Sequence, residues 1–146
     1  MSGPDGMGRQ VRQNLVALIS LALAIASLAY TTWRNESSEA HRNVRQAAFR
    51  TLEVLEELQV IVDARRYQGD QMRGDYVAGW ARVNLISDLS RLMPVPLPPA
   101  AAELHQVWQA NFDKWYTDND AEAEARISAA IGVARDQTLA VLGALG

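Results

Sequence analysis

The chain has 146 residues and a net charge of −3, with 49% apolar and 21% charged residues, two His and no Cys. That length holds at most one ordinary domain plus a short appendage. The absence of Cys excludes disulfide scaffolds, thiolate zinc sites and Cys nucleophiles, and the near-balanced charge leaves no basic footprint for nucleic acid.

The opening string MSGPDGMGRQVRQN is rich in Gly and carries a Pro, which predicts a disordered tail over residues 1–10. Residues 15–30 then read LVALISLALAIASLAY, and no charge occurs between Arg12 and Arg34. Crossing a hydrocarbon core takes about 20 residues at ~1.5 Å each. Residues 11–33 meet that length, and a single transmembrane helix is expected there. The eight Leu, Ile and Val residues of the run contribute about −4 kcal/mol to insertion at about −0.5 kcal/mol each. Arg12, Tyr30, Trp33 and Arg34 fall where such a span would meet the headgroup layers, with the two rings as an aromatic belt. A soluble core helix would need a polar face, and this stretch has none. Ser20 with Ala24 and Ala22 with Ala26 form small-x-x-x-small pairs of the kind that let spans approach closely.

The competing reading of the run is a cleaved signal peptide. Arg9 and Arg12 would form its n-region, and Ser27-Leu28-Ala29 offers a small-x-small cleavage site. Arg34, Arg42, Arg45 and Arg50 outnumber Arg9 and Arg12, yet long domains cross largely regardless of charge. The short N-terminal flank therefore favours a C-terminal domain outside the cytoplasm.

After the span, Asn35-Glu36-Ser37-Ser38 reads either as a break or as a solvated turn within one continuous helix. Val44, Ala48, Thr51, Leu55, Leu58 and Val62 recur every three or four residues, an apolar stripe on a first helix. It ends before Gln68-Gly69-Asp70, a loop signal. A second helix is expected from Asp75 as N-cap, with Ala78, Ala81, Leu85, Leu89 and Leu92 inward and Trp80 and Ile86 widening that face. Met93-Pro94-Val95-Pro96-Leu97-Pro98-Pro99 cannot propagate a helix. Its PxxP-like spacing also occurs in polyproline ligands, but a stiff connector with Pro99 at a first helical position accounts for it. A third helix over about residues 100–116 carries Leu104, Trp108, Asn111, Phe112 and Trp115. Asn119 or Asp120 caps a fourth, whose stripe is Ile127, Ile131, Ala134, Thr138, Val141 and Leu145. Four amphipathic helices with short loops bury their stripes most economically as an antiparallel bundle.

Tests for chemistry in this pattern fail. Di-iron bundles need Glu-x-x-His pairs on one helix face, whereas Glu39 and Glu103 stand two residues from His41 and His105 and point elsewhere. Asp118-x-Asp120-x-Glu122-x-Glu124 lacks the Gly and the bidentate Glu of a calcium loop, having Ala123 and Ala129 at those positions, and reads as an acidic helix start. No nucleophile elbow, Ser-x-x-Lys pair or phosphate-binding loop is present. No catalytic residue, metal or cofactor is expected.

One constellation stands out. Trp108, Asn111, Phe112, Trp115 and Tyr116 lie within nine residues of the third helix, and Trp80 can face them. Such rings form bundle core or a binding hot spot, and a buried Asn111 amide must find a partner.

The string Tyr30-Thr31-Thr32-Trp33-Arg34-Asn35-Glu36, followed by Asn43-Val44-Arg45-Gln46-Ala47-Ala48-Phe49, resembles a group of small proteobacterial single-pass inner-membrane proteins. The resemblance covers about 35 residues. It implies a bacterial inner-membrane anchor and nothing about activity. The sequence thus predicts an all-α chain comprising a tail over 1–10, a single transmembrane helix over 11–33 and an antiparallel four-helix bundle over 34–146. Its expected partners are the lipid bilayer and another protein, self included, with the C-terminal domain in the periplasm. A small-ligand-binding sensory bundle is the alternative.

Overall fold

The structure, a computed structural model, describes residues 5–69 and 72–145, with side chains described from residue 14 and those of Ser37 and Ser38 left out. The described residues are all-α and form four helices: α1 (Asp5–Gln68), α2 (Tyr76–Ser90), α3 (Leu97–Asp118) and α4 (Ala121–Ala144). They divide into two compact units, Met1–Ala40 and His41–Gly146. The tail expected over residues 1–10 lies partly outside the described residues. The helix assignment runs through Asn35–Ser38, the reading with a solvated turn inside one helix.

In the first unit, every described side chain from Asn14 to Glu36 is exposed. The apolar stretch is long and apolar enough to cross a membrane by length and composition, and none of its most apolar 18-residue window is buried against the chain. The Thr31 hydroxyl donates to the Ser27 carbonyl at 2.8 Å. That bond satisfies the hydroxyl within its own helix.

The second unit buries the stripes of its helices. Ala48, Thr51, Leu55, Leu58 and Val62 of α1 are inside, as are Leu104, Trp108, Asn111 and Trp115 of α3 and Ile127, Ile131, Ala134, Thr138 and Val141 of α4. The two buried threonines satisfy their hydroxyls within their own helices, Thr51 on the Ala47 carbonyl at 2.9 Å and Thr138 on the Ala134 carbonyl at 2.7 Å. Contacts fix the direction of α4 along α1. Arg45 donates to the Leu145 carbonyl, Glu56 meets Arg135 and Gln59 donates to Ser128. Partner numbers fall as α1 numbers rise, so the two helices run in opposite directions.

Helix ends follow local chemistry. Gly69 takes φ +62 just after α1, a left-handed conformation that Gly adopts without strain. Asp75 caps α2 by accepting from the Val77 N–H, and Asp120 caps α4 by accepting from the Ala123 N–H at 2.8 Å. Asn119 is the left-handed C-cap of α3, so a two-residue joint reverses the chain between α3 and α4.

The inward face of α2 differs from the expected one. Gly79, Val83, Ile86 and Ser90 are buried, while Ala81, Leu85 and Leu92 are exposed and Ala78 and Leu89 half-buried. The cause is a ring on α3: a Cβ at position 79 would collide with the Cη2 and Cζ2 atoms of Trp108. The helix turns its Gly toward that ring, and Leu85 rotates outward. Helix α3 starts at Leu97 rather than near residue 100, because Pro98 and Pro99 occupy first-turn positions that need no N–H donor.

Candidate functional site

The aromatic constellation is drawn together by the 3.6-residue repeat of α3, which puts Trp108, Asn111, Phe112 and Trp115 on one side. The structure sorts these residues into two layers. Trp108 and Trp115 are fully buried and Asn111 is 6% exposed. Trp80, Phe112 and Tyr116 are half-buried and form the outer layer. Trp80 stands edge-on to Trp108 at 6.3 Å between centroids and to Phe112 at 5.5 Å. Trp108 and Trp115 are tilted at 5.4 Å. These are the offset and edge-to-face geometries that aromatic quadrupoles favour.

Three further residues belong to this cluster and carry no strong sequence signal. Tyr76 packs on Phe112 at 6.1 Å and edge-on to Tyr116 at 4.9 Å. His105 meets Trp80 at 5.5 Å. Arg65 of α1 lies over the Tyr116 ring at 5.1 Å, and its Nε–H donates to the Tyr116 carbonyl at 2.9 Å. A guanidinium is favoured there twice over, by the ring face and by the negative C-terminal end of α3. Arg66 does the same for the Asn119 carbonyl at 3.0 Å.

Polar groups inside the cluster are mostly satisfied. The Asn111 amide donates to the Val107 carbonyl of its own helix at 2.7 Å, and the Trp115 N–H reaches the Val62 carbonyl at 3.4 Å. The Trp108 N–H, by contrast, is buried without a hydrogen-bond partner among the described residues.

A wide groove of about 690 Å³ lies on α1 beside α2, lined by Glu53, Glu56, Glu57, Val60, Ile61, Arg73 and Arg82, with none of the aromatic residues among them. Its carboxylates are paired: Glu53 with Arg50 at 2.8 Å, Glu57 with Arg82 at 3.2 Å, and Glu56 with Arg135. The hydrogen bond that Arg50 donates to the Glu53 carboxylate is the chief reason its guanidinium holds its proton more tightly than usual. Two hydrogen bonds to backbone N–H groups, that of Ala123 foremost, hold the Asp120 carboxyl below its ordinary pKa. The acidic string around it is a helix start. No group of three or more His, Asp or Glu side chains among the described residues could hold a metal ion.

On the first unit, Tyr30 and Trp33 lie 6.4 Å apart at one end of the apolar stretch, and Arg34 is exposed beside them. The Arg12 side chain lies outside the described residues. Comparison with known proteins returned no matching family model, no matching curated protein and no matching solved structure.

Proposed function

We propose that the chain is a membrane-anchored interaction module. A single transmembrane helix over residues 11–33 fixes its location, and an antiparallel four-helix bundle over 34–146 presents a rigid surface to another protein, as an adaptor, accessory subunit or scaffold. On this reading the chain carries out no bond chemistry, lies in a bacterial inner membrane and displays its C-terminal domain to the periplasm. The observation that carries it is the contrast between the units. The second closes its own core, whereas the apolar window of the first has none of its residues covered. Apolar surface of that extent has to be removed from water by lipid or by a partner. In-cell crosslinking with mass spectrometry tests the reading. Reproducible links from 34–146 to one protein, or to a second copy, support it. Absence of links, together with no stable complex in mild detergent, refutes it.

A second reading, a sensory bundle that binds a small ligand, draws on the unpartnered Trp108 N–H beneath the outer ring layer. It requires tryptophan fluorescence that responds to a candidate ligand and loses that response in Trp108→Ala; a flat response rejects it for that ligand.

A further inference from the structure

A second groove, of about 590 Å³, runs between α2 and α3 and is lined almost wholly by polar side chains. Tyr76 meets Tyr116 and Trp80 meets His105, so partner numbers fall as α2 numbers rise and the two helices are antiparallel. Asn84, Ser87, Asp88 and the C-cap Arg91 line one wall at i, i+3, i+4 and i+7, a single face of α2. Ala102, His105 and Gln106 repeat that spacing on α3. Ala102 is the one apolar side chain among them, and its small size leaves the space between the two stripes open. The polar groups of this groove are unspent. Every other Ser or Thr of residues 41–146 hydrogen-bonds within its own helix: Thr51 and Thr138 on carbonyls one turn back, Ser90 on the Ser87 carbonyl, Thr117 with Asp113 and Ser128 with Glu124. The Ser87 hydroxyl has no such bond among the described residues, and neither have the amides of Asn84 and Gln106 or the His105 imidazole. Asp88 and Arg91 approach to 3.8 Å, too far for a hydrogen bond. In the groove on α1, by contrast, each carboxylate already has its arginine.

We propose that the α2–α3 groove is a binding site for a neutral mono- or disaccharide. Its volume falls in the range of about 300–1,000 Å³ usual for small-molecule sites. A sugar hydroxyl donates and accepts at once, which suits acceptors on Asn84, Asp88 and Gln106 beside donors on the two amides and Arg91. Flat carboxylate, amide and guanidinium ends take two-pronged partners, and hydroxyls on neighbouring carbons are such a partner. The opposite charges of Asp88 and Arg91 leave the lining near neutral. A phosphate or carboxylate would meet repulsion from Asp88, and an acyl chain would find one methyl group to cover. Both walls are helical, and His105 stands edge-on to the Trp80 ring at 5.5 Å, so little order is lost on binding. Neither Trp108 nor any residue of α1 lines the groove, so a sugar can occupy it whether or not the chain is anchored or docked on a protein.

Saturation-transfer difference NMR on the full-length protein in a sugar-free zwitterionic detergent tests the site. The probes are glucose, galactose, N-acetylglucosamine, maltose and cellobiose, each at about 10 mM so that millimolar Kd values are reached. Saturable transfer to at least one of them is expected. Asn84→Ala and Gln106→Ala alter exposed side chains, so helical circular dichroism should match the parent while binding weakens about fivefold or more, as the loss of one hydrogen bond requires. Gln109→Ala, on α3 but outside the groove, should bind as the parent does. Absence of transfer to every probe overturns the site. Transfer that survives in the Asn84→Ala/Gln106→Ala double variant puts the sugar elsewhere and overturns it too. Transfer to glycine or betaine where no sugar responds assigns Asp88 and Arg91 to a zwitterion and overturns the saccharide.

Discussion

Gly79→Ala is the sharpest test of how the aromatic cluster is built. In an exposed helix the change is favourable by up to about 1 kcal/mol, because Gly pays more backbone entropy than Ala. Here the added methyl would meet two ring carbons of Trp108 far inside van der Waals contact. The ring is fully buried and boxed in by Trp115 and Trp80, so it cannot swing away as the tip of a flexible side chain would. Overpacking of a well-filled core costs about 1–3 kcal/mol, and a rigid neighbour puts this site near the upper end. The net expectation is a loss of about 2 kcal/mol, or a fall in Tm of about 8–16 °C for a domain near 100 residues. Gly132→Ala on α4 is the control. Nothing lies within 4 Å of its added carbon, so it should gain up to about 1 kcal/mol. Both are read by thermal and denaturant unfolding in mild detergent, with helical circular dichroism as the signal. A double-mutant cycle with Trp108→Leu should show Gly79→Ala costing less once the ring is gone. Equal stabilisation by the two alanines would refute the packing account.

Three further outcomes follow from the same contacts. Asp75→Ala removes the side chain that accepts from the Val77 N–H and should cost about 1 kcal/mol, measured by denaturant midpoint; Asp75→Asn should restore most of it. Asp120 is held below its ordinary pKa in the folded chain. Its contribution is therefore complete above the usual Asp value of about 3.9 and drains away as pH falls from there through the folded value. Asp120→Asn keeps a cap and should flatten the acid limb of a Tm–pH curve relative to the parent. Arg65→Lys keeps a charge but loses the planar fork that covers Tyr116 and its carbonyl. It should lower Tm, and it should raise the fluorescence anisotropy decay rate of the ring cluster if Arg65 pins α3.

The stripes of α1, α3 and α4 were legible because large or β-branched side chains repeat at helical spacing, so Leu55, Trp108 and Ile127 could only point inward. The face of α2 was not legible for a reason of the same kind. Its inward positions include a Gly and a Ser, which carry no hydropathy signal, and Gly79 is inside because Trp108, 29 positions later in the chain, needs the space. Tyr76 and His105 escaped for the same cause: their partners are set by helix packing, not by neighbours in sequence. The depth of each ring was equally hidden. Periodicity grouped Trp108, Phe112 and Trp115, but only packing separates the two buried indoles from the half-exposed Phe112. The proline run marked the α2–α3 boundary plainly, yet its composition alone could not say which aliphatic side chains turn out.

The filling of the second unit is uneven along its length. Bulky rings crowd the end near Trp115, whereas alanines, Met93, Leu97 and Val141 occupy the end where α1 enters. Fewer interlocked atoms mean weaker dispersion there. A mechanical load delivered through the apolar segment of α1 would arrive at the softer pole and peel it open residue by residue, leaving the indole-rich pole as a clamp. Amide exchange of the chain in mild detergent should accordingly rank residues 44–48 and 141–145 ahead of 108–115, which would make the molecule a graded spring instead of a rigid post.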